Sequence, residues 1–454
     1  MAASDSPMAS AFPKESHTCV SEILELFDKP NQPMEIEDRF TTRVFPNGAI
    51  SDAQTTISFD VQPSENMLDF SESKFKVGVK ILDEDGKALP ALSANHGYGL
   101  EQSAGSTLFS AINVLINGTP ITSNYNNQPY ISYLATLLNY NDEFCQTVGA
   151  TWGYYPEDDL ANLDSVSQHS GLARRALRTA ASTETFFLVP LFNDLATCQR
   201  LLLSMTPIHI DFQRSRAPFC IRAQEKDKKF QLKITWLTLE LQYVRVDRNV
   251  LQAIERQLEE KDESRNKAIY PILHQNVRNF TIGPGVQNYQ IENCFSSDMA
   301  LPTQVVLGIV DSEAYNGSTQ SSPFFFQRAD VRNVYVCFDG TVLPLQPYNI
   351  NWKTDYEAPY QALYSDVPLK YARSGCFISR HRFRNNGYCL YRFNLPNYQP
   401  CDQLMYAPKK AAPARIVIEF NRPTTKTLML MVYYSRVELL YLSKNRGVTM
   451  TYAL

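Results

Sequence analysis

Histidine is the first residue type to test for chemistry, and the chain carries six: His17, His96, His169, His209, His274 and His381. A metal site read from one stretch needs ligands a few residues apart, and no two of these are that close. An enzyme of the cupin type needs an HxH cluster with a following carboxylate, which is absent. There is no GxSxG nucleophile turn, no GxxxxGK phosphate loop and no GxGxxG after a strand. His209 lies in an alternating run, the pattern of a structural strand residue. Asp158-Asp159 puts two carboxylates side by side, but such neighbours on a loop are ordinarily just solvated. The inventory argues against an enzyme and calls for no metal and no cofactor.

Two basic clusters keep contact chemistry open. Residues 172–178 (LARRALR, with Arg174 and Arg175) and 380–384 (RHRFR, with Arg380 and Arg382) offer guanidinium groups to phosphates or to an acidic partner. Phe383 among the cations favours contact for the second cluster, and a plain solvated face is the alternative for both. The long loops 312–329 and 345–379 are rich in Tyr, Phe and Pro and include Phe324 and Phe326. Long loops of this kind often recognise something, and aromatic side chains anchor interfaces.

The composition narrows the class. A net charge of −4 argues against a nucleic-acid binder with a broad basic surface. With 44% hydrophobic and 20% charged residues the chain is globular, and 454 residues suffice for two or three domains. Nine scattered cysteines without a CxxC pair predict reduced, mostly buried thiols. Residues 1–16 hold no apolar core for a signal peptide, and no apolar run reaches the ~18–20 residues that span a bilayer. A soluble protein made in the cytosol, without a membrane span, is the expectation.

The elements that would position these residues are mostly strands. Runs at 56–61, 75–81, 108–116, 185–192, 207–213 and 229–246 read as β, and a second series follows at 277–282, 305–310, 331–338, 388–395, 415–420 and 428–442. Residues 129–140 read as a helix. Between the two series stands a longer helical pattern, 247–268, with Val250, Leu251, Ile254 and Leu258 at helical spacing and Pro271 as its stop. Leu251, Ile254 and Leu258 are candidates to pack between two domains. The division predicted is an N-terminal arm 1–50, a first β domain 51–246, a linker helix 247–270, a second β domain 271–446 and a tail 447–454.

The two flanks of the linker resemble each other. Leu115-Ile116-Asn117-Gly118-Thr119 matches Cys337-Phe338-Asp339-Gly340-Thr341, and Pro129-Tyr130 with Leu134 matches Pro359-Tyr360 with Leu363. Ile208-His209-Ile210-Asp211-Phe212 matches Ile416-Val417-Ile418-Glu419-Phe420, and Tyr243-Val244-Arg245-Val246 matches Tyr434-Ser435-Arg436-Val437. Four landmarks in one order point to a duplicated domain of about eight strands, the size of a jelly-roll sandwich.

A wider pattern carries a family resemblance. Leu108-Phe109-Ser110 leads to Val114, Ile116, Asn117 and Gly118, then to Pro129, Tyr130, Tyr133, Thr136, Leu137, Leu138 and Tyr140. After the linker come Val310-Asp311, Tyr315-Asn316-Gly317-Ser318 and Pro323-Phe324-Phe325-Phe326. Ile378, Arg380, Gly387, Tyr388, Leu390, Phe393 and Leu395 follow, and Asn445-Arg446 closes the pattern. From about residue 17 to residue 448 the chain resembles the major capsid protein of Polinton/Maverick-type elements and the related adintoviruses. It departs from the family at His381-Arg382, where acidic residues are common.

The resemblance implies an all-β fold of two tandem antiparallel jelly-roll sandwiches joined by a linker helix. It implies a homotrimer that forms a pseudo-hexameric capsomer and tiles an icosahedral shell around double-stranded DNA. Its partners would be neighbouring capsomers and a separate penton-type vertex protein, with packaged DNA in weak contact. Its place would be the virion, after synthesis in a host cytoplasm, with the nucleus a candidate site of assembly. On this reading Arg174, Arg175, Arg380, Arg382, Phe324 and Phe326 are candidates for contact between subunits or with nucleic acid. The alternative is a soluble β-sandwich module that recognises a glycan or a protein through its aromatic loops.

Overall fold

Apolar residues alternating with polar ones demand a partner sheet for their inner face, and each half of the chain supplies its own. The structure is a computed structural model, which describes residues 35–93, 97–121, 127–163, 170–226, 228–262, 266–295, 302–338, 340–364, 378–395 and 413–451. The first half contains β1 (Ile36–Val44), β2 (Thr56–Val61), β3 (Met67–Asp83), β4 (Tyr98–Leu100), β5 (Phe109–Ile116), β6 (Thr119–Pro120), β7 (Thr185–Pro190), β8 (Ile208–Arg214), β9 (Ile221–Ala223) and β10 (Phe230–Val246). Its sheets run β1-β10-β3-β7 and β2-β8-β5-β6, with β4-β9 as a small separate pair.

The second half contains β11 (Ala268–Ile282), β12 (Asn288–Ile291), β13 (Gln304–Asp311), β14 (Val331–Phe338), β15 (Thr341–Leu343), β16 (Leu390–Asn394), β17 (Ala414–Phe420) and β18 (Leu428–Leu442), followed by β19 (Val448–Thr451). Its sheets run β11-β18-β13-β16 and β12-β17-β14-β15, with β19 added beside β18. Set β4 and β9 aside and count strands within each half. Both halves then read 1-8-3-6 in one sheet and 2-7-4-5 in the other, which is the jelly-roll order. The chain is a double jelly roll, and among the described residues no sheet mixes strands of the two rolls.

The four matched landmarks fall on equivalent places. The Asn117-Gly118 and Gly340 turns both join strands four and five; β8 and β17 are both strand seven, and β10 and β18 both strand eight. Inside the first roll Phe75, Val77, Val79 and Ile81 of β3 are fully buried, while Lys74, Lys76 and Lys80 between them face outward. Phe75, Phe109 and Phe212 meet edge-on at 4.9–5.6 Å between ring centres. Each such buried ring stabilises the sandwich by about 1.5–3 kcal/mol.

Three segments differ from the sequence expectation. Residues 36–44, inside the predicted arm, form β1 and pair with β10. Their mixed polar sequence hid them, because an edge strand lying mostly in solvent needs no apolar alternation. The linker helix spans Arg248–Leu258, shorter than 247–268. It stops where its apolar stripe stops, since residues beyond Leu258 have nothing to bury and propensity alone does not hold a short helix. Pro271 is not its stop but lies within β11, an edge strand, where a missing N–H does little harm. Residues 448–451 of the predicted tail form β19.

Candidate functional site: the junction between the two rolls

The first roll places its longest helix, Gln128–Asn139, in the connection between its fifth and sixth strands. Pro129 starts it, where a missing N–H costs nothing. Every residue except Asn139 is buried, the signature of a helix enclosed on all sides. Tyr130, Ile131, Tyr133, Leu134, Leu137 and Leu138 join the core of the second roll. The Tyr133 ring stacks on Phe324 with 4.3 Å between centres, and Tyr130 meets Phe324 edge-on at 5.5 Å and Tyr315 at 6.0 Å. Asn127 Nδ2 donates to the Val277 carbonyl of β11 at 2.7 Å. The helix therefore closes the outer face of the β11-β18-β13-β16 sheet, together with the 322–326 segment. As a result the first nine residues of β18 and the middle six of β13 are buried on both faces.

Charged groups are buried on two flanks of this junction. On one, Arg175 pairs with Glu157 and Arg222 with Glu101 at 3.6 Å, all four side chains nearly inaccessible. Arg175 also donates from Nε to the Leu100 carbonyl at 2.8 Å and from NH1 to Gln102 Oε1 at 2.7 Å. Burial pushes the Glu157 carboxyl above its usual range; Arg175 opposes the shift and Glu101 adds to it. The same loop reaches the second roll, where Tyr388 donates to the Glu157 carbonyl at 2.7 Å, Asn386 to the Asp158 carbonyl at 2.7 Å, and Arg382 binds Asp158 at 2.9 Å.

On the other flank Asp194 of the first roll meets His274 of β11 at 2.5 Å. Asp194 Oδ1 also accepts from the Gln275 N–H at 3.1 Å, and Thr197 Oγ1 accepts from the Leu273 N–H at 2.7 Å. The ion pair Arg436–Glu438 on β18 lies in register with His274 and Ile272. Burial works against the imidazolium and Arg436 adds to that, but Asp194 and then Glu438 outweigh both and hold the His274 pKa above its usual value near 6.5.

The linker helix finishes the junction. Leu258 is buried and Val250, Leu251 and Ile254 are half-buried against the first roll's core, beside Tyr270 and Ile272 of β11 and Leu440 and Leu442 of β18. Asp247 caps its start, accepting from the Asn249 N–H at 2.8 Å. Arg446 ties its outer side down, binding Glu255 at 2.9 Å and the Ser204 carbonyl at 2.9 Å.

Several predicted contact residues lie elsewhere than expected. Arg175, Phe324 and Phe326 are buried inside the molecule and present nothing to a partner or a nucleic acid. Their real partners, Glu157, Gln102, Tyr130 and Tyr133, are distant in sequence, so neither the basic run nor the aromatic loop betrayed its burial. Arg382 is occupied by Asp158 and lies 5.8 Å over the Tyr388 ring. Arg380 is exposed beside Glu357 and over Tyr356, and Arg174 is exposed on its helix. With Phe324 and Phe326 inside, the recognition-module alternative loses part of one of the two aromatic loops that motivated it. His209 bridges Asp60 at 2.6 Å and Asp211 at 3.1 Å within its sheet, a structural role.

The ionic clamps escaped the sequence reading altogether. The only signal was a polar residue at an inward position of an alternating strand, as at His274. Among the described residues no three His, Cys, Asp or Glu side chains form a group that could hold a metal, and no helix is long and apolar enough to cross a membrane. None of the six described cysteines forms a disulfide, and five of them are buried.

No family model matches the chain. An uncharacterized protein of Caenorhabditis elegans is 23% identical over 330 residues, covering 72% of this chain and 75% of that protein. Among solved structures, a chain of the Sputnik virophage aligns with a TM-score of 0.63 over 98% of this chain and 94% of its own length, at 10% identity. The mavirus major capsid protein aligns with a TM-score of 0.55 over 98% and 97% at 12% identity, and the Faustovirus major capsid protein with 0.54 over 91% and 92% at 8% identity. At these identities the likeness is one of fold: the structural neighbours are double jelly-roll major capsid proteins of virophages and other viruses.

Proposed function

We propose that this chain is a structural major capsid protein of the kind carried by Polinton/Maverick elements and adintoviruses. Three copies form a pseudo-hexameric capsomer, and capsomers tile the faces of an icosahedral shell around double-stranded DNA. A separate penton-type protein closes the vertices, and neighbouring capsomers are the other partners. The observation that carries the reading is the pair of rolls with one strand order, locked side by side by a helix buried at every residue but its last. Two rolls fixed at one angle are a third of a six-unit ring, and a heterologous contact repeated three times closes it. Whole-length likeness to virophage capsid chains supports the same reading. The relative in an animal suits an element carried in a host genome. Domain limits follow the same logic: a first roll to residue 246, a linker helix, and a second roll from about residue 268, with the linker stripe fixing how the rolls sit.

The proposed work needs no catalytic group, only surfaces that bury enough area. Permanent assembly interfaces commonly exceed ~2,000 Å². Light scattering on the purified chain tests the reading: trimers are expected, and electron microscopy of concentrated material should show shells. A chain that stays monomeric under all assembly conditions rules the reading out.

A further inference from the structure

The same sheet is covered in one roll and open in the other. In the second roll the outer face of β11-β18-β13-β16 is closed by the first roll's helix Gln128–Asn139 and by the 322–326 segment. Among the described residues the outer face of the first roll's β1-β10-β3-β7 sheet meets no such helix, and part of it is exposed. Along one row across it, Trp236 stands opposite Gly78, and Gly78 opposite Phe186. Phe45, just past β1, lies edge-on to Trp236 at 6.0 Å. Phe45, Trp236 and Phe186 are 57%, 39% and 41% exposed, whereas Met431 and Leu390, flanking the matching Gly308, are 1% and 0% exposed. Three large aromatics in one exposed row are the anchor material of an interface.

The second roll has the complementary loose end. Its helix Glu357–Ala362 carries Pro359-Tyr360 in its first turn, as the first roll's carries Pro129-Tyr130, and lies in the same connection between strands five and six. Only Pro359 of this helix is buried. Asp355 and Glu357 are exposed at its start, and half-exposed Lys74, Lys76 and Lys80 surround the aromatic row.

We infer that the row Phe45–Trp236–Phe186 on the first roll docks the second roll of another copy of this chain, through the side that bears the helix Glu357–Ala362. The contact repeats between chains what the first roll does to the second within one chain. It rests on the capsid reading above and names the surface that reading requires.

The test uses the full chain and the double variant Trp236→Glu/Phe186→Glu. Both side chains lie on the surface, so the variant should keep the wild-type circular dichroism. At concentrations where the wild type is wholly trimeric by light scattering, the variant should be monomeric. A variant that stays trimeric with unchanged dilution behaviour overturns the surface and leaves the capsid reading standing. A monomeric wild type overturns both. A second readout needs no variant, because Trp152 and Trp352 are buried and Trp236 alone of the three tryptophans is open to solvent. Acrylamide should quench the diluted monomer several-fold more than the trimer, and equal quenching in the two states overturns the docking.

Discussion

Gly78 in β3 and Gly308 in β13 hold the same place in their rolls, on strand three between strands six and eight, yet their surroundings differ. Gly308 lies under Phe326 and Leu390, both sealed in the interior, while Gly78 lies under Phe186, a ring that can swing into solvent. The same contrast runs through the whole connection between strands five and six. The first roll's helix there is buried along its length and the second roll's is mostly open. The basic cluster of the first roll is folded inward around Arg175, and that of the second stays outward at Arg380. One topology thus carries two kinds of surface, because what a sheet face or a helix side can be made of depends on whether another element of the fold packs on it.

Four experiments can break or sharpen this contrast. The largest effect is expected for Arg175→Ala, which leaves Glu157 buried without its partner at a cost of about 3–5 kcal/mol. Arg380→Ala at the matching exposed cluster should cost about 0–1 kcal/mol. Urea unfolding of both variants measures the difference, and similar midpoints would erase the distinction between inward and outward clusters. Next comes Tyr130→Ala, which removes a buried ring at a cost of about 3 kcal/mol, against Tyr360→Ala in the half-buried equivalent at about 1 kcal/mol. Equal losses would mean that the second helix is as enclosed as the first.

Smaller changes follow at the paired glycines. Gly308→Ala must displace the Phe326 ring and Leu390, which have nowhere to go, at about 1–3 kcal/mol, and Gly78→Ala, which also meets Thr235 and Trp236, should cost less because Phe186, its nearest neighbour, can yield. Thermal melting of the two variants ranks them, and the reverse order would refute the difference in enclosure. The mildest effect concerns pH. His274 has a raised pKa in the fold, so its stabilising charge is fully present below about pH 6.5 and is lost as pH rises through the raised value. The urea midpoint should fall over that window, and His274→Gln should flatten the fall. An unaltered slope would show that the Asp194–His274 clamp does not titrate there.

Much of the fold was legible in the sequence. Alternation located β2, β5, β14 and β18 to within a residue, because each has one face against its partner sheet or, for β18, an apolar run sealed on both. The duplication was legible because turn residues and strand ends recur wherever the same hairpin recurs. β1 was not, since an edge strand in solvent carries no pattern. The site was the least legible part. Phe324, Phe326 and Arg175 have the composition of a contact surface, and only the arrival of Tyr133 and Glu157 from far along the chain makes them interior. Trp236 and Phe186 stand in ordinary strand runs, and nothing in those runs tells a covered outer face from an open one.

Leu440 and Leu442 give the fold an order in time. They lie near the end of the last long strand, yet they complete a core cluster that residues 57–258 build almost alone. The first roll is synthesised first and can pair its own strands, but this corner of it stays unsealed until β18 emerges and is laid down beside β11. A chain broken off before residue 440 therefore carries two faults, an unfinished second roll and an open seam in the first. Such a fragment would expose apolar surface to chaperones and proteases. Completion of the first roll's core thus waits on two leucines of the second.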